Sequence, residues 1–341
     1  MLYNLQDNIL KIKNLFNDKT YEFDLSIFDF PGKFFICYIV YSADNNKVIL
    51  SFKVQDVNEK GLVIKTYNEG LLECRLRTRK MNIICDKACD DFIFDKNDSN
   101  KLFVNISGCI YSFNITNKSL DKIYKFRNCC ETPIYMKQNE NGKLLLFSKS
   151  MSKTDKRKLH IINLENNTLN NTIGNTSVYD FINNSKIVCT LSKGLKTYNI
   201  ISGKTNIALK NTSELIKKCN ENSYAEQIYQ ILDIAKLISD EISEPFVFNK
   251  RIYFKVFILG KPNGVWKLKN NKFQKWCSFD KYFNDFQIHF EASGHLSKLY
   301  AYKNNSKIIF VENDGMIDNC NVYDSNESYV IEKYEPIISS F

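Results

Sequence analysis

Apolar and polar residues alternate in short runs along most of this chain, and the runs are separated by Asn, Asp, Ser and Gly. The stretch from Lys101 to Phe126 shows the unit. Leu102, Val104 and Ile106 alternate with Lys101, Phe103 and Asn105. After Ser107-Gly108 a second run passes through Ile110, Tyr111 and Phe113. After an Asn117-Lys118 turn a third runs through Leu120, Ile123, Tyr124 and Phe126. Period-two alternation broken by turn formers predicts antiparallel hairpins.

The unit recurs in sets of four predicted strands. They cover 34–41, 48–54, 62–68 and 71–77; then 91–96 leading into the 101–126 unit; then 133–139, 143–150, 158–165 and 168–174; then 178–184, 186–192, 194–200 and 204–210. Two further sets cover 245–250, 251–258, 264–270 and 272–279, then 286–293, 298–304, 307–314 and 316–323. The ends are incomplete. Ile9–Leu15 and Thr20–Ser26 form a hairpin with no preceding strands, and Ser328–Glu335 is one strand without a hairpin.

One segment, 211–244, breaks the pattern. Asn211 with Glu214 looks like an N-cap pair, and Ser223 with Glu226 forms a capping box. Tyr224, Ile228, Ile231, Ala235, Ile238 and Ile242 then follow at helical spacing along one face, and Pro245 is read as the stop. The expectation is a helical insertion whose apolar stripe packs on its own domain or serves a partner; as the sequence's main binding candidate, the stripe is assigned to a partner protein.

A second strand led by Lys or Arg begins near residues 47, 101, 143, 186, 251 and 298, at intervals of about 42 to 54 residues apart from the one that holds the insertion. Four strands per repeat at this period resemble the broad WD40-like and quinoprotein-like β-propeller superfamily over nearly the whole chain. The Gly-His and Trp-Asp landmarks of WD repeats are missing: Gly294-His295 stands alone, and neither Trp266 nor Trp276 precedes Asp. The resemblance implies an all-β fold, a single propeller domain over 1–341; six full sets plus fragments at both ends suggest seven four-stranded blades, with six or eight as the alternatives, and the expected helical insertion falls between blades. Pairing the two incomplete ends would close the ring and remove its open edges.

Composition agrees with a globular β chain. Hydrophobic residues make up 44%, charged residues 25% and aromatics 13%, and aromatics suit half-buried strands. With 12 Gly and 5 Pro, the turns must use Asn, Asp and Ser, and Asn tolerates left-handed turn geometry. The longest apolar run, Phe34–Tyr41, is far short of a spanning helix, and the first residues lack a basic-then-apolar leader pattern. Eleven Cys at irregular spacing then read as reduced thiols in a cytoplasmic chain that does not meet the membrane.

Little of the chain points to catalysis. There are three His, of which His160 and His289 lie within predicted strands, and no phosphate-binding Gly loop or Gly-X-Ser-X-Gly elbow is present. Cys85 and Cys89 flank Asp-Lys-Ala, and Cys129-Cys130 are adjacent, an arrangement that does not match a paired-Cys zinc chelate. Asp44, Asp91, Asp180 and Asp285 could line a channel mouth and hold Ca²⁺ through their oxygens, but scattered carboxylates of this kind are turn or solvated residues. No catalytic residue, metal ligand or cofactor is assigned. Arg75, Arg77 and Arg79 alternate, as on one face of an outer strand.

The net charge of +9 matches the Lys-rich character of the whole chain more than a dedicated patch. One cluster, Trp266, Lys267, Lys269, Lys272 and Lys275, interleaves bases with aromatics as an anionic-ligand or nucleic-acid groove would. The main functional reading is a non-catalytic platform that binds another protein. The alternatives are a propeller hydrolase or lyase with a metal at the channel mouth, and nucleic-acid or anionic-ligand binding through that cluster.

Overall fold

The computed structural model describes residues 1–341 except 43, 45, 88, 90, 126–132, 151–156, 175–178, 192–193, 211–240, 259–260, 270–271, 279–297, 304–307, 314–318, 325–327, 337 and 340–341. The described residues form seven sheets, six of four strands and one of five. The first contains β1 (Leu2–Gln6), β2 (Ile9–Lys13) and β3 (Thr20–Asp24). The second contains β4 (Lys33–Tyr41), β5 (Lys47–Val57), β6 (Val63–Arg75) and β7 (Lys80–Cys85). The third runs β8 (Asp91–Phe94), β9 (Lys101–Ile106), β10 (Cys109–Asn114) and β11 (Leu120–Lys125). The fourth has β12 (Pro133–Gln138), β13 (Leu144–Ser150), β14 (Arg157–Asn163) and β15 (Thr168–Gly174). The fifth has β16 (Tyr179–Asn183), β17 (Lys186–Leu191), β18 (Gly194–Asn199) and β19 (Thr205–Leu209). The sixth has β20 (Glu241–Phe248), β21 (Arg251–Ile258), β22 (Lys261–Lys269) and β23 (Lys272–Ser278). The seventh has β24 (Lys298–Lys303), β25 (Ile308–Asn313), β26 (Asn319–Tyr323) and β27 (Ser328–Glu332).

The chain then returns to its beginning. β28 (Glu335–Pro336) pairs antiparallel with β1, Leu2 facing Pro336, and so gives the first sheet its fourth strand. β29 (Ile338–Ser339) pairs in parallel with β4, opposite Val40 and Tyr41, as the fifth strand of the second sheet.

Alternation sets how the sheets pack. In β8, Phe92 and Phe94 join the core against the second sheet, while Ile93 between them faces the fourth. In β9, Leu102 and Val104 take the first side and Phe103 the second. Each sheet is thus apolar on both faces, which explains runs such as FIF and LFV. The fourth sheet packs on the fifth through Leu159, Ile161, Tyr179 and Ile187, and the fifth on the sixth through Val188, Leu195, Phe254 and Trp266. The sixth meets the seventh through Tyr253, Val265 and Phe310. Tyr302, Ile309 and Val322 of the seventh share one core with Leu2, Leu10 and Ile12 of the first and Val48, Phe52 and Leu72 of the second. Each such side chain contributes about 1.5–3 kcal/mol by leaving water, so the sheets are held face to face.

Asn and Asp supply the turns. Asn14, Asp24, Asn58, Asp95, Asn114 and Asn183 each accept a backbone N–H two residues ahead, and Asn8, Asp18, Asn167 and Asn249 take positive φ.

Five expectations are corrected. β1 precedes the first hairpin, so that hairpin does have an earlier strand. The predicted strands 62–68 and 71–77 are one strand, β6, running straight through Glu69-Gly70, and the fourth strand of that sheet is β7. Arg77 and Arg79 therefore sit in the turn after β6, with the Arg79 guanidinium 5.4 Å from the centre of the Tyr21 ring. The Lys-led second strand of the last sheet is β25, not the run from Lys298, which is its first strand; both runs begin at a Lys before apolar alternation. Ser328–Glu332 completes the seventh sheet instead of joining the first hairpin, and the run at 286–293 lies outside the described residues.

The fifth correction concerns the insertion. Residues 211–240 lie outside the described residues, and the one helical element among those described is a 3-10 turn at Leu25–Phe28. Ile242 does not end a helix: it lies in β20 opposite Val256. Pro245 does not stop a helix either. It falls where the β20–β21 register shifts between Ser243 and Phe246, a bulge that tolerates a residue without an N–H.

Candidate functional site

The two sequence-predicted clusters fare differently. Tyr224, Ile228, Ile231, Ala235 and Ile238 lie outside the described residues; Ile242 is in β20. The basic-aromatic cluster is brought together on the β22–β23 hairpin, where Trp266 faces Lys275, Lys267 faces Gln274 and Lys269 faces Lys272. Trp266 is buried against Phe254 and Phe273 in the core between the fifth and sixth sheets, and the Lys275 ammonium lies 5.4 Å from its ring centre. Trp276 occupies the bulge between the Val265 and Trp266 pairings and stacks edge-on to Phe310, 4.9 Å between centroids. The aromatic faces are therefore covered by neighbouring sheets, while Lys269 and Lys272 remain exposed at the hairpin end.

The carboxylates weighed for Ca²⁺ do not converge among the described residues; Asp285 lies outside them. Asp44 accepts hydrogen bonds from the Ser42 hydroxyl and the Asn46 N–H and shapes the β4–β5 turn. Asp180 is buried on β16, where its Oδ1 pairs with Lys137 Nζ of β12 at 2.8 Å and its Oδ2 accepts the Val247 N–H of β20 at 2.7 Å. One carboxylate thus ties the first strands of three consecutive sheets. Its charge and hydrogen-bonding capacity are met within the protein, as burial requires.

Among the described residues, the β5–β6 hairpin outruns its neighbour β7; the sequence pattern splits its second strand, β6, in two. Its strands have 11 and 13 residues, against six each for β9 and β10 or β17 and β18. The lower half is an ordinary part of the sheet: β5 pairs with β4, and β6 pairs with β7 from Arg75 back to Leu71. Beyond Leu71, β7 ends. From Val63 to Gly70 the outer edge of β6 has no strand partner among the described residues.

The projecting half is built to hold its shape. Asn58 closes the tip: its side-chain oxygen accepts the N–H groups of Lys60 and Leu62, and Gly61 takes a φ of +76°. The register shifts between Val54 and Gln55 and between Asp56 and Val57 leave Tyr67 and Ile64 as bulge residues, which increase local twist. Gln55 Nε2 donates to Thr66 Oγ1 at 3.0 Å across the hairpin, and the Lys65 ammonium lies 4.6 Å from the centre of the Tyr67 ring. At the base, Phe28, Phe30, Phe34 and Phe52 stack, with Phe34 and Phe52 4.8 Å apart. Gly32, at a φ of +133°, brings the preceding loop so close that a Cβ would touch the Gln55 carbonyl at 3.0 Å.

The tip is apolar and open. Leu62, Val63 and Ile64 are 63%, 52% and 65% exposed. Scattered exposed apolar residues are ordinary, but three in a row at the end of a braced hairpin form a continuous apolar surface. A free strand edge is itself a template for pairing with another chain. The sequence carried one signal for this arrangement. An isolated Gly within an alternating run can mark a close backbone approach, and at Gly70 a Cβ would run into the Cys85 carbonyl.

No protein-family model and no curated protein sequence matches this chain. Solved structures do. An oligogalacturonate lyase from Vibrio parahaemolyticus superposes with a TM-score of 0.59 at 8% identity, over 97% of this chain and 85% of that one. A prolyl endopeptidase gives 0.57 at 7% identity, over 96% of this chain and 46% of that one. A CNH domain described as AfRom2 gives 0.50 at 9% identity, over 88% and 84%. Identities this low speak for architecture alone. With its four-stranded sheets packed face to face in chain order, the chain has the β-propeller fold.

Proposed function

We propose that the seven sheets are seven blades of one propeller over 1–341, closed by β28 on β1, and that the protein is a platform that binds another protein through the β5–β6 hairpin. The partner adds a strand along Val63–Gly70 of β6 and receives Leu62, Val63 and Ile64 in an apolar pocket. The observation that carries this reading is the open β6 edge capped by three exposed apolar residues. Main-chain hydrogen bonds along such an edge give affinity, and the apolar tip gives selectivity. The bracing at Phe34, Phe52 and Gly32 keeps the hairpin formed before binding, which lowers the ordering cost of association. The test is affinity capture with the intact protein and with a Leu62→Asp, Ile64→Asp variant. Partners retained by the first and lost by the second support the reading; identical captured sets from both refute it.

A second reading, a propeller lyase or hydrolase, is favoured by the named neighbours more than a passive platform is. The Vibrio oligogalacturonate lyase aligns with 97% of this chain and 85% of its own length, so the match there is to nearly a whole enzyme. Turnover of oligogalacturonate by purified protein, with and without added divalent metal, tests it. Release of unsaturated product would move the function to this reading; no product under either condition would remove that substrate.

A further inference from the structure

The arginines at 75 and 77 take no part in the hairpin reading, and the fold gathers other cations around them. β5, β6 and β7 come together at this end: Lys47 faces Arg75, and Arg75 faces Lys80, so three basic residues stand in one row across three strands, about 4.8 Å between strands. Like charges directly opposite cost stability unless an anion lies between them. Glu73, 1% exposed, is one such anion: its Oε2 accepts from Arg75 Nε at 3.0 Å, and its Oε1 lies 3.9 Å from Lys47 Nζ. Lys47 is then fully engaged within the fold, because its ammonium also donates to the Ser99 carbonyl and to Asn100 Oδ1 in the link between β8 and β9. Arg75 is not. Held through Nε, it keeps both terminal nitrogens for a further acceptor, and its side chain is 46% exposed. Lys118, in the turn between β10 and β11, brings another ammonium to β7, 3.5 Å from the Ile83 carbonyl. Arg77 and Lys80 are exposed, and neither forms an ion pair among the described residues. Asp44 and Asp98, in the adjoining turns, accept backbone N–H groups instead.

We propose that this edge, where the second sheet meets the third, binds the phosphate backbone of duplex nucleic acid without reading its bases. A guanidinium with two uncommitted nitrogens takes two oxygens of one phosphate, and ammonium groups beside it add point charges. Grooves for single strands add aromatic faces on which bases stack. Tyr21, the ring that reaches this turn, lies under the Arg79 guanidinium at 5.4 Å, so the turn offers charge without a bare stacking face. Contacts of this kind supply affinity and no sequence preference. The patch lies at the opposite end of β5 and β6 from Leu62–Ile64, roughly 30 Å away along the strands, and does not depend on whether the tip binds a partner.

The test is fluorescence anisotropy of the full chain with labelled duplexes of unrelated sequence over a range of salt. With about three phosphates neutralised, log K is expected to fall against log salt with a slope of about −3, alike for every sequence. Arg77→Gln with Lys80→Gln is expected to bring the slope to about −1 and to weaken binding at low salt about tenfold or more. Both side chains are exposed, so the denaturation midpoint should hold. Lys269→Gln with Lys272→Gln removes the same charge from the β22–β23 hairpin and is expected to leave slope and affinity nearly unchanged. Equal losses from the two pairs would assign the binding to overall charge and overturn the proposal. So would no binding of duplex by the unmodified chain at low salt, tighter binding of a single strand, or binding confined to phosphatidylserine vesicles or to an acidic peptide. The slope of the unmodified chain keeps the test decisive if a variant fails to fold.

Discussion

The β22–β23 and β5–β6 hairpins are both antiparallel strands rich in Lys and apolar residues, yet they end in opposite conditions. In the first, Trp266 packs on Phe254 and Trp276 on Phe310, so the aromatic side chains that looked like a ligand platform are inside the fold. In the second, the strands outrun their neighbour β7, and Leu62, Val63 and Ile64 stay in water. A hairpin is a core element where an adjacent sheet covers it and an open surface where none does. Composition does not separate the two cases; the length of the neighbouring strand does.

The contrast is sharpest at Trp266. Trp266→Ala removes a buried ring between two sheets and is expected to cost about 3–5 kcal/mol, read as a lower midpoint in chemical denaturation. A midpoint within error of the parent would mean that the hairpin is not covered as described. Gly70 tests the boundary between covered and open halves. Gly70→Ala drives a methyl into the Cys85 carbonyl and is expected to cost about 1–3 kcal/mol, as overpacking does. No loss of stability there would show that β7 does not approach β6 so closely.

Leu62→Asp with Ile64→Asp reverses the pattern. Both residues are exposed, so the stability change is expected within about 0.5 kcal/mol while partner capture is lost. A large drop in the midpoint would place the tip against protein and end the comparison. The smallest effect is expected from Lys269→Gln with Lys272→Gln at the exposed end of the other hairpin: stability within about 0.5 kcal/mol and unchanged partner capture. A shift in salt-dependent heparin retention much larger than two lost charges produce would instead revive an anionic ligand at β22–β23.

Much of the fold was legible. Runs such as LFVNI and IVCTL became strands where alternation placed them, and Asn58, Asn114 and Asn183 turned the chain as their side-chain chemistry allows. The errors fell where one residue supports two geometries. The gap expected between 62–68 and 71–77 is at Gly70 a close approach to the Cys85 carbonyl, and Pro245, expected as a helix stop, sits in a bulge. Lys298 and Lys307 both lead apolar runs, and only pairing shows which run is the second strand. The candidate site was much less legible, because nothing in LVIKTYNEG says that β7 will end at Cys85.

The sequence by itself determined the local rules. Two-residue periodicity fixed strands, Asn and Asp fixed turns, and apolar residues on both faces required each sheet to be covered on two sides, since each such face is stable only out of water. Only the tertiary structure decided coverage. Whether Trp266 is buried, whether Asp180 meets Lys137 and Val247, and whether Val63–Gly70 is left without a strand partner among the described residues depend on which distant segments arrive beside them. Burial and pairing are relations between residues far apart in the chain, and local patterning carries no record of them.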